Sequence, residues 1–484
     1  MTEIRDEKRF WGLWEVLLLS WPAAMSMLSS TVTRFVDGLM VARLGGDLGP
    51  ISLAAQTSAG IIAFAPESFA MGALTVVNTY VSQNMGAGRL KRCGEYAWAG
   101  MGLALICSLL IMPLSLVSGP LFHWMGHDPA VVGLENMYFR YMVLAVVLTL
   151  PARVLEGFFF GIQRPGVVFV TSAIANTVNI LANWVLIYGK WGFPTMGLEG
   201  AAIASVSSWG LQLAMLSAVF LTHRMRTIYG TAVPKAASWI DVREIISIGW
   251  PAGLQFGNDV LSWGVFVNAL IGQFGTAHLA ASSAAMRYMP LSFMPAVGIG
   301  IAATALVGKY IGQGRTDLAR RRTHVALLTA MVYMGACGLA FYLLRYPMVE
   351  AFAVSQEGRT LVQGEMTRRM IDIGANVMIL AAVFQLFDAV GIVFIGALRG
   401  AGDTFWPMVM TIILSWGATV GGGLAFIHFA PQLESVGPWI AASLYVVLLG
   451  LLVAWRFEGG AWKKIDLLKR RPLAAPAVDF EAKA

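Results

Sequence analysis

The sequence predicts an all-α membrane protein of twelve transmembrane helices in two six-helix, pseudo-symmetric lobes, and three observations predict it. Of 484 residues, 57% are hydrophobic and only 13% are charged, where an ordinary soluble domain has about 25% charged. Apolar runs that can span a hydrocarbon core, which takes about 20 residues, recur along the whole chain. A stretch near the start also returns in the second half. Trp21-Pro22-Ala23 matches Trp250-Pro251-Ala252, and VSQNMGAGR, ending at Arg89, matches VGKYIGQGR, ending at Arg315. One unit used twice in a hydrophobic chain points to a transporter whose site lies between the halves.

In chain order the predicted spans cover 13–42, 50–82, 95–119, 134–161, 166–189 and 197–222, then 244–272, 279–308, 324–346, 371–398, 405–429 and 437–456. The opening MTEIRDEKRF has no short apolar run with a cleavage site, so the first span acts as its own signal. The lobes therefore occupy 1–223 and 244–457, with a linker at 224–243 and a tail at 458–484. The linker ends SWIDVREIISIGW, which is amphipathic and is expected to lie on the membrane surface. Pro472 and Pro476 mark the tail as disordered. Of the loops on the other face, 123–128 and 346–369 have any size, the second reading as a short polar helix. Lysines and arginines at the span ends divide 24 to 6 in favour of the side that holds the termini. By the positive-inside rule both termini are then cytoplasmic.

The same rule accounts for the formal charge of +7 without nucleic acid, leaving membrane lipid as the partner of the basic residues. Cys93, Cys107 and Cys337 lie far apart in apolar runs, with neither disulfide nor metal-ligand spacing. No phosphate-binding G-x-x-x-x-G-K-[ST] loop occurs, since Gly308-Lys309 lacks the upstream glycine and the hydroxyl. Neither H-E-x-x-H nor G-x-S-x-G is present and the six histidines are scattered, so neither an enzyme nor a bound cofactor is expected.

Several phrases in order resemble a known family. Asp37 followed by Leu44-Gly45, then VSQNMGAGR, HDPAVVGLENMYFRYM, NTVNILANWVLIYGKWGFPTMGLEGAAIAS and FDAVGIVFIGALRGAGDT are similar to the MATE (multidrug and toxic compound extrusion) transporters, closest to the bacterial NorM-like branch. The likeness covers about 11–455. It implies a V-shaped pair of lobes, alternating access, and a monomer in the bacterial inner membrane. It also implies export of organic, mostly cationic drugs or toxic metabolites in exchange for Na+ or H+. Asp37, Asp259 and Asp388 fall where the sodium-coupled branch carries acids. The family usually has Glu at the seventh-helix site, one methylene longer than Asp259.

The residues themselves support that choice. A charge near the bilayer centre costs about 2.5–3.5 kcal/mol on insertion scales, so ionisable groups there mark ion or substrate paths. Asp37, Asp259 and Asp388 are the cation-coupling candidates, with Asp259 and Asp388 as ligands if the ion is Na+. Arg34, Glu67, Asn176, Asn179, Asn183 and Arg287 are the substrate-cavity candidates. Simpler readings stand beside these. Arg34, three residues from Asp37, would be its salt-bridge partner, Glu67 could join that pair, and Arg287 could pair with Asp388. The three asparagines, on one face of the fifth helix, could be interhelical glue. Pro22 and Pro251 are hinge candidates or static kinks, and Gly417-x-x-x-Gly421 would allow close helix packing. Arginines in both lobes would admit zwitterionic or anionic substrates. Together with Arg140 and Arg153 they keep a lipid-linked oligosaccharide flippase as the alternative, and a non-transporting receptor is a third reading.

Overall fold

A computed structural model describes residues 2–45, 48–232, 238–353 and 361–468, and among these there is helix but no strand. The first lobe comprises α1 (Thr2–Ala42), α2 (Leu48–Leu74), α3 (Val76–Gly86), α4 (Leu90–Ile111), the short α5 (Ser118–Trp124), α6 (Pro129–Gly161), α7 (Pro165–Tyr188) and α8 (Gly197–Phe220). After α9 (His223–Tyr229), the second lobe comprises α10 (Trp239–Val265), α11 (Thr276–Gly312), α12 (Thr316–Leu343), the short α13 (Arg345–Ala353), α14 (Leu361–Ala401), α15 (Phe405–Leu414), α16 (Gly422–Phe429) and α17 (Val436–Glu458). By length and composition, eleven spans qualify among the described residues, with α2 and α3 together forming one of them. The twelfth is α10. Asp241, Arg243 and Glu244 make its start polar, yet it packs along α2 and α15 within the bundle.

Each lobe has its own apolar core, and the first helix of each begins in the core of the other. Val16 of α1 packs with the second lobe, while Val242, Ile245, Ile248 and Ala252 of α10 pack with the first. These exchanges need close backbone approach, and small residues supply it. A Cβ added at Gly298 of α11 would stand 2.5 Å from the Ala24 amide of α1, and one at Gly72 of α2 would stand 2.6 Å from the Ala252 carbonyl of α10. Pro22 and Pro251 come just before these two crossings. Both helices run unbroken through them, so neither proline breaks its helix.

The repeated VSQNMGAGR and VGKYIGQGR phrases meet on the pseudo-twofold axis. A Cβ at Gly86 would lie 2.0 Å from the Lys309 carbonyl, and one at Gly312 would lie 2.1 Å from the Gln83 carbonyl. Two residues on, Gly88 and Gly314 adopt left-handed φ of +74° and +72° to turn into the next helix. Gly314→Ala is expected to lower stability by about 1–2 kcal/mol, the strain of an L-residue in that region. No other atom lies within 4 Å of the added Cβ, so a detergent melting curve would report backbone strain alone.

Hydrogen bonds and ion pairs between the lobes gather on the side where the chain begins. Glu15 of α1 accepts from Lys309 at 3.0 Å, Tyr310 at 2.7 Å and Arg322 at 2.7 Å. Arg92 pairs with Asp241 at 2.9 Å, and Tyr96 donates to Glu244. Thr79 and Gln83 of α3 donate to the carbonyls of Arg399 and Gly400, each at 2.9 Å. No such bond joins the lobes at the opposite end among the described residues, so the V opens away from the termini.

Three local expectations change. The SWIDVREIISIGW stretch, expected on the membrane surface, forms the start of α10, where Asp241 and Glu244 are held by Arg92 and Tyr96 across the lobe boundary. The tail does not lose order at 458: Trp462 is fully buried and stacks on Phe457, and Leu467 is buried. The rest of the tail, 469–484, lies outside the described residues. In the 346–369 loop, α13 and the start of α14 are helical, and 354–360 lie outside the described residues. The Gly417-x-x-x-Gly421 pair makes no close crossing. It sits in a π-helical turn, Ser415–Gly421, where an added Cβ at Gly417 meets nothing within 4 Å.

Candidate functional site

Each lobe holds a polar network in the half that opens. In the first, Asp37 is buried and faces inward from α1. Its two oxygens accept from Gln56 of α2 at 2.7 Å and Asn183 of α7 at 2.9 Å, and Tyr138 of α6 lies against the same group. Asn183 also donates to Asn179 at 3.1 Å, which itself donates to Ser205 and Ser208 of α8. The Asn183 carbonyl oxygen is buried and has no donor. A carboxylate beside an unsatisfied amide oxygen is chemistry suited to a hard cation or a proton.

The three asparagines share a helix face, but their partners divide them. Asn176 bonds Ser29 and Ser30 of α1, nearer the closed end, and reads as interhelical glue. Asn179 and Asn183 belong to the Asp37 network. Arg34 does not: Asp37 is satisfied by neutral amides, and the expected Arg34–Asp37 salt bridge is not formed. Three residues of separation place two side chains on one face, but at different depths between different neighbours. Glu67 is also elsewhere, accepting from Thr149 of α6 at 2.5 Å in the field of Arg153.

In the second lobe Asp259 of α10 and Asp388 of α14 act on one another, and Tyr445 of α17 sits by both. Its hydroxyl donates to Asp259 at 3.2 Å. No hydrogen-bond donor reaches the Asp388 carboxylate among the described residues. Two neighbouring carboxylates repel each other unless a cation or a proton lies close to them, and among the described residues the one cationic side chain acting on this pair is Arg399, through Asp259. Asn258, beside Asp259, fixes this wall of the site by donating to Ser415 at 2.9 Å and accepting from Trp416 at 2.8 Å. Both partners lie in the π-helical turn, a distortion often found at functional sites. Arg287, expected beside Asp388, is instead exposed on α11.

Sequence reasoning missed Gln56, Tyr138, Tyr445 and Arg399. Arg399 counts as a loop charge in the sequence, whereas it occupies the last turn of α14 and acts on Asp259. Its carbonyl carries one of the inter-lobe bonds. A glutamine amid the apolar residues of α2 was a legible signal, but nothing in the sequence distinguishes Tyr445 from other aromatic residues in spans. Among the described residues no group of three His, Cys, Asp or Glu could hold a metal, which leaves carboxylates with neutral oxygens as the available ligands.

The MatE family profile matches residues 22–185 and 260–420, the segments that carry Asp37, Gln56, Asn179, Asn183 and Asp388, while Ser205, Ser208, Asn258, Asp259 and Tyr445 lie outside them. The chain is 27% identical over 448 residues to "Probable multidrug resistance protein NorM" of Synechocystis, covering 92% of this chain and 94% of that protein. It is 26% identical over 448 residues to "Multidrug resistance protein MdtK" of Edwardsiella ictaluri, with the same coverage. Among solved structures, a multidrug resistance MATE transporter in an outward-facing conformation superposes with a TM-score of 0.82 at 19% identity. A Pyrococcus furiosus transporter of the MOP superfamily, described as having a binding pocket of reverse polarity, superposes with a TM-score of 0.81 at 19% identity. Each comparison covers 94% of this chain and 97% of the other.

Proposed function

The chain belongs to the MatE family, and from that premise we propose that it is a secondary active multidrug exporter, driving organic compounds out of the cell in exchange for Na+ or H+. The observation that carries this is the pair Asp259 and Asp388, two carboxylates in a membrane lobe that act on one another, with the Tyr445 hydroxyl bonded to Asp259. Such a pair gains a cation or a proton when one is available and repels itself when none is. The 24 to 6 bias of basic residues supports a cytoplasmic side for the closed end by the positive-inside rule. The V then faces outward, the state in which substrate leaves and the coupling ion enters.

Sodium is the ion this reading favours, because the NorM-like likeness extends to all three acids. The test uses proteoliposomes and a fluorescent organic cation. A sodium gradient is expected to drive dye movement, and a pH gradient in sodium-free buffer is expected to drive much less. Equal drive by the pH gradient would reassign the ion to H+, and no movement under either gradient would defeat the exporter reading.

A further inference from the structure

We propose that the cavity at the closed end, between α1, the α6–α7 turn and α11, binds an anionic phospholipid of the cytoplasmic leaflet. The proposal uses the orientation argued above and is independent of what the chain transports. The cavity measures about 710 Å³, and Glu15, Gln163, Arg164 and Lys309 supply its polar lining. Glu15, Arg164 and Lys309 all lie near the ends of their spans on the terminal side. The apolar lining includes Leu18, Trp21 and Pro22 of α1. From Glu15 to Pro22 the helix climbs about 10 Å, so the polar residues stand at headgroup depth and the apolar ones beside the upper acyl chain.

The open hydrogen-bonding groups of this lining are all donors. Glu15, its one acid, is filled: one oxygen accepts from Lys309 at 3.0 Å and Tyr310 at 2.8 Å, the other from Tyr310 and Arg322, each at 2.7 Å. The Gln163 side-chain oxygen accepts from Lys309 at 3.0 Å, while its amide nitrogen is buried with no acceptor. Lys309 gives N–H groups to Glu15 and Gln163 and keeps one more. The Arg164 guanidinium makes no ion pair or hydrogen bond with any described residue, which leaves its planar fork open to a phosphate. A lipophilic cation finds no open acceptor here, whereas a phosphodiester brings an oxygen to each open donor. Basic pockets between spans on the cytoplasmic side suit anionic headgroups for this reason. Because Lys309 belongs to the second lobe and Arg164 to the first, a headgroup held by both lies across the seam that closes the V.

The test titrates phosphatidylglycerol and phosphatidylcholine of one acyl composition onto the full purified chain in detergent and counts bound lipid by native mass spectrometry. Phosphatidylglycerol is expected to bind about tenfold tighter, the scale of one charge-assisted contact. Arg164→Gln is expected to bring the ratio close to one with an unchanged melting temperature, since the side chain has no partner to lose. Arg164→Lys, which keeps the charge but loses the fork, should retain part of the preference. Lys91→Gln, exposed on the same side and outside the cavity, should leave the ratio as it was. Equal binding of the two lipids, an unchanged ratio in Arg164→Gln, or the same loss in Lys91→Gln would overturn the proposal. Displacement of phosphatidylglycerol by inorganic phosphate would overturn it too, by marking a site for a soluble anion.

Discussion

Asp388→Asn is expected to abolish ion-driven efflux while leaving the melting temperature at or above that of the unaltered chain. Asp388 faces Asp259 and receives no hydrogen bond from the described residues, so an amide of the same shape breaks no bond and removes a like-charge repulsion. Insertion is easier as well, because an ionised acid is the costlier group in hydrocarbon. What the change removes is one charge from whatever cation sits between the two acids. A charged contact of that kind contributes about 1.5–3 kcal/mol, roughly ten- to hundredfold in ion affinity. Were Asp388 instead the structural partner of an arginine, the variant would strand a cation and cost about 3–5 kcal/mol of stability. The exposed position of Arg287 argues against that pairing. A lowered melt with full specific efflux in the surviving protein would sink the ion-site assignment.

The second large effect is expected at the axis. Gly312→Val places a Cβ 2.1 Å from the Gln83 carbonyl, a backbone atom that cannot step aside without moving α3. Overpacking of this kind costs about 1–3 kcal/mol or more, and the cost falls on the state in which α3 and α11 touch. At about 3 kcal/mol the population of the closed arrangement drops roughly 150-fold relative to the alternative. Transport should therefore fall by more than tenfold. A cysteine placed at Leu19, in the inter-lobe cavity of about 710 Å³ on that side, should become more reactive to a thiol reagent supplied from the terminal side. Gly102→Val, in α4 with no atom within 4 Å of the added Cβ, serves as the control for a bulky change in a span. Wild-type transport and labelling in Gly312→Val would show that this crossing is not needed for closure.

The sequence by itself determined the class, the number of spans, the duplication and the three acids. These follow from quantities that are local or additive: the length of an apolar run, the cost of a charge in hydrocarbon, and the recurrence of a phrase. It even marked Gly86, Gly88, Gly312 and Gly314 through the repeat, although their reason lay in the structure, where two serve the crossing and two the turns that follow it. Only the tertiary structure decided the partners. Helical spacing put Arg34 on the face of Asp37, but which groups satisfy Asp37 depends on the depth at which α2 and α7 cross α1, and these bring Gln56 and Asn183. Likewise, Arg399 reads as a loop charge until the end of α14 is seen packed against α3, with its side chain acting on Asp259. Periodicity fixes the direction in which a side chain leaves its own helix, whereas its neighbours are set by how helices far apart in sequence cross, and no single span carries that information.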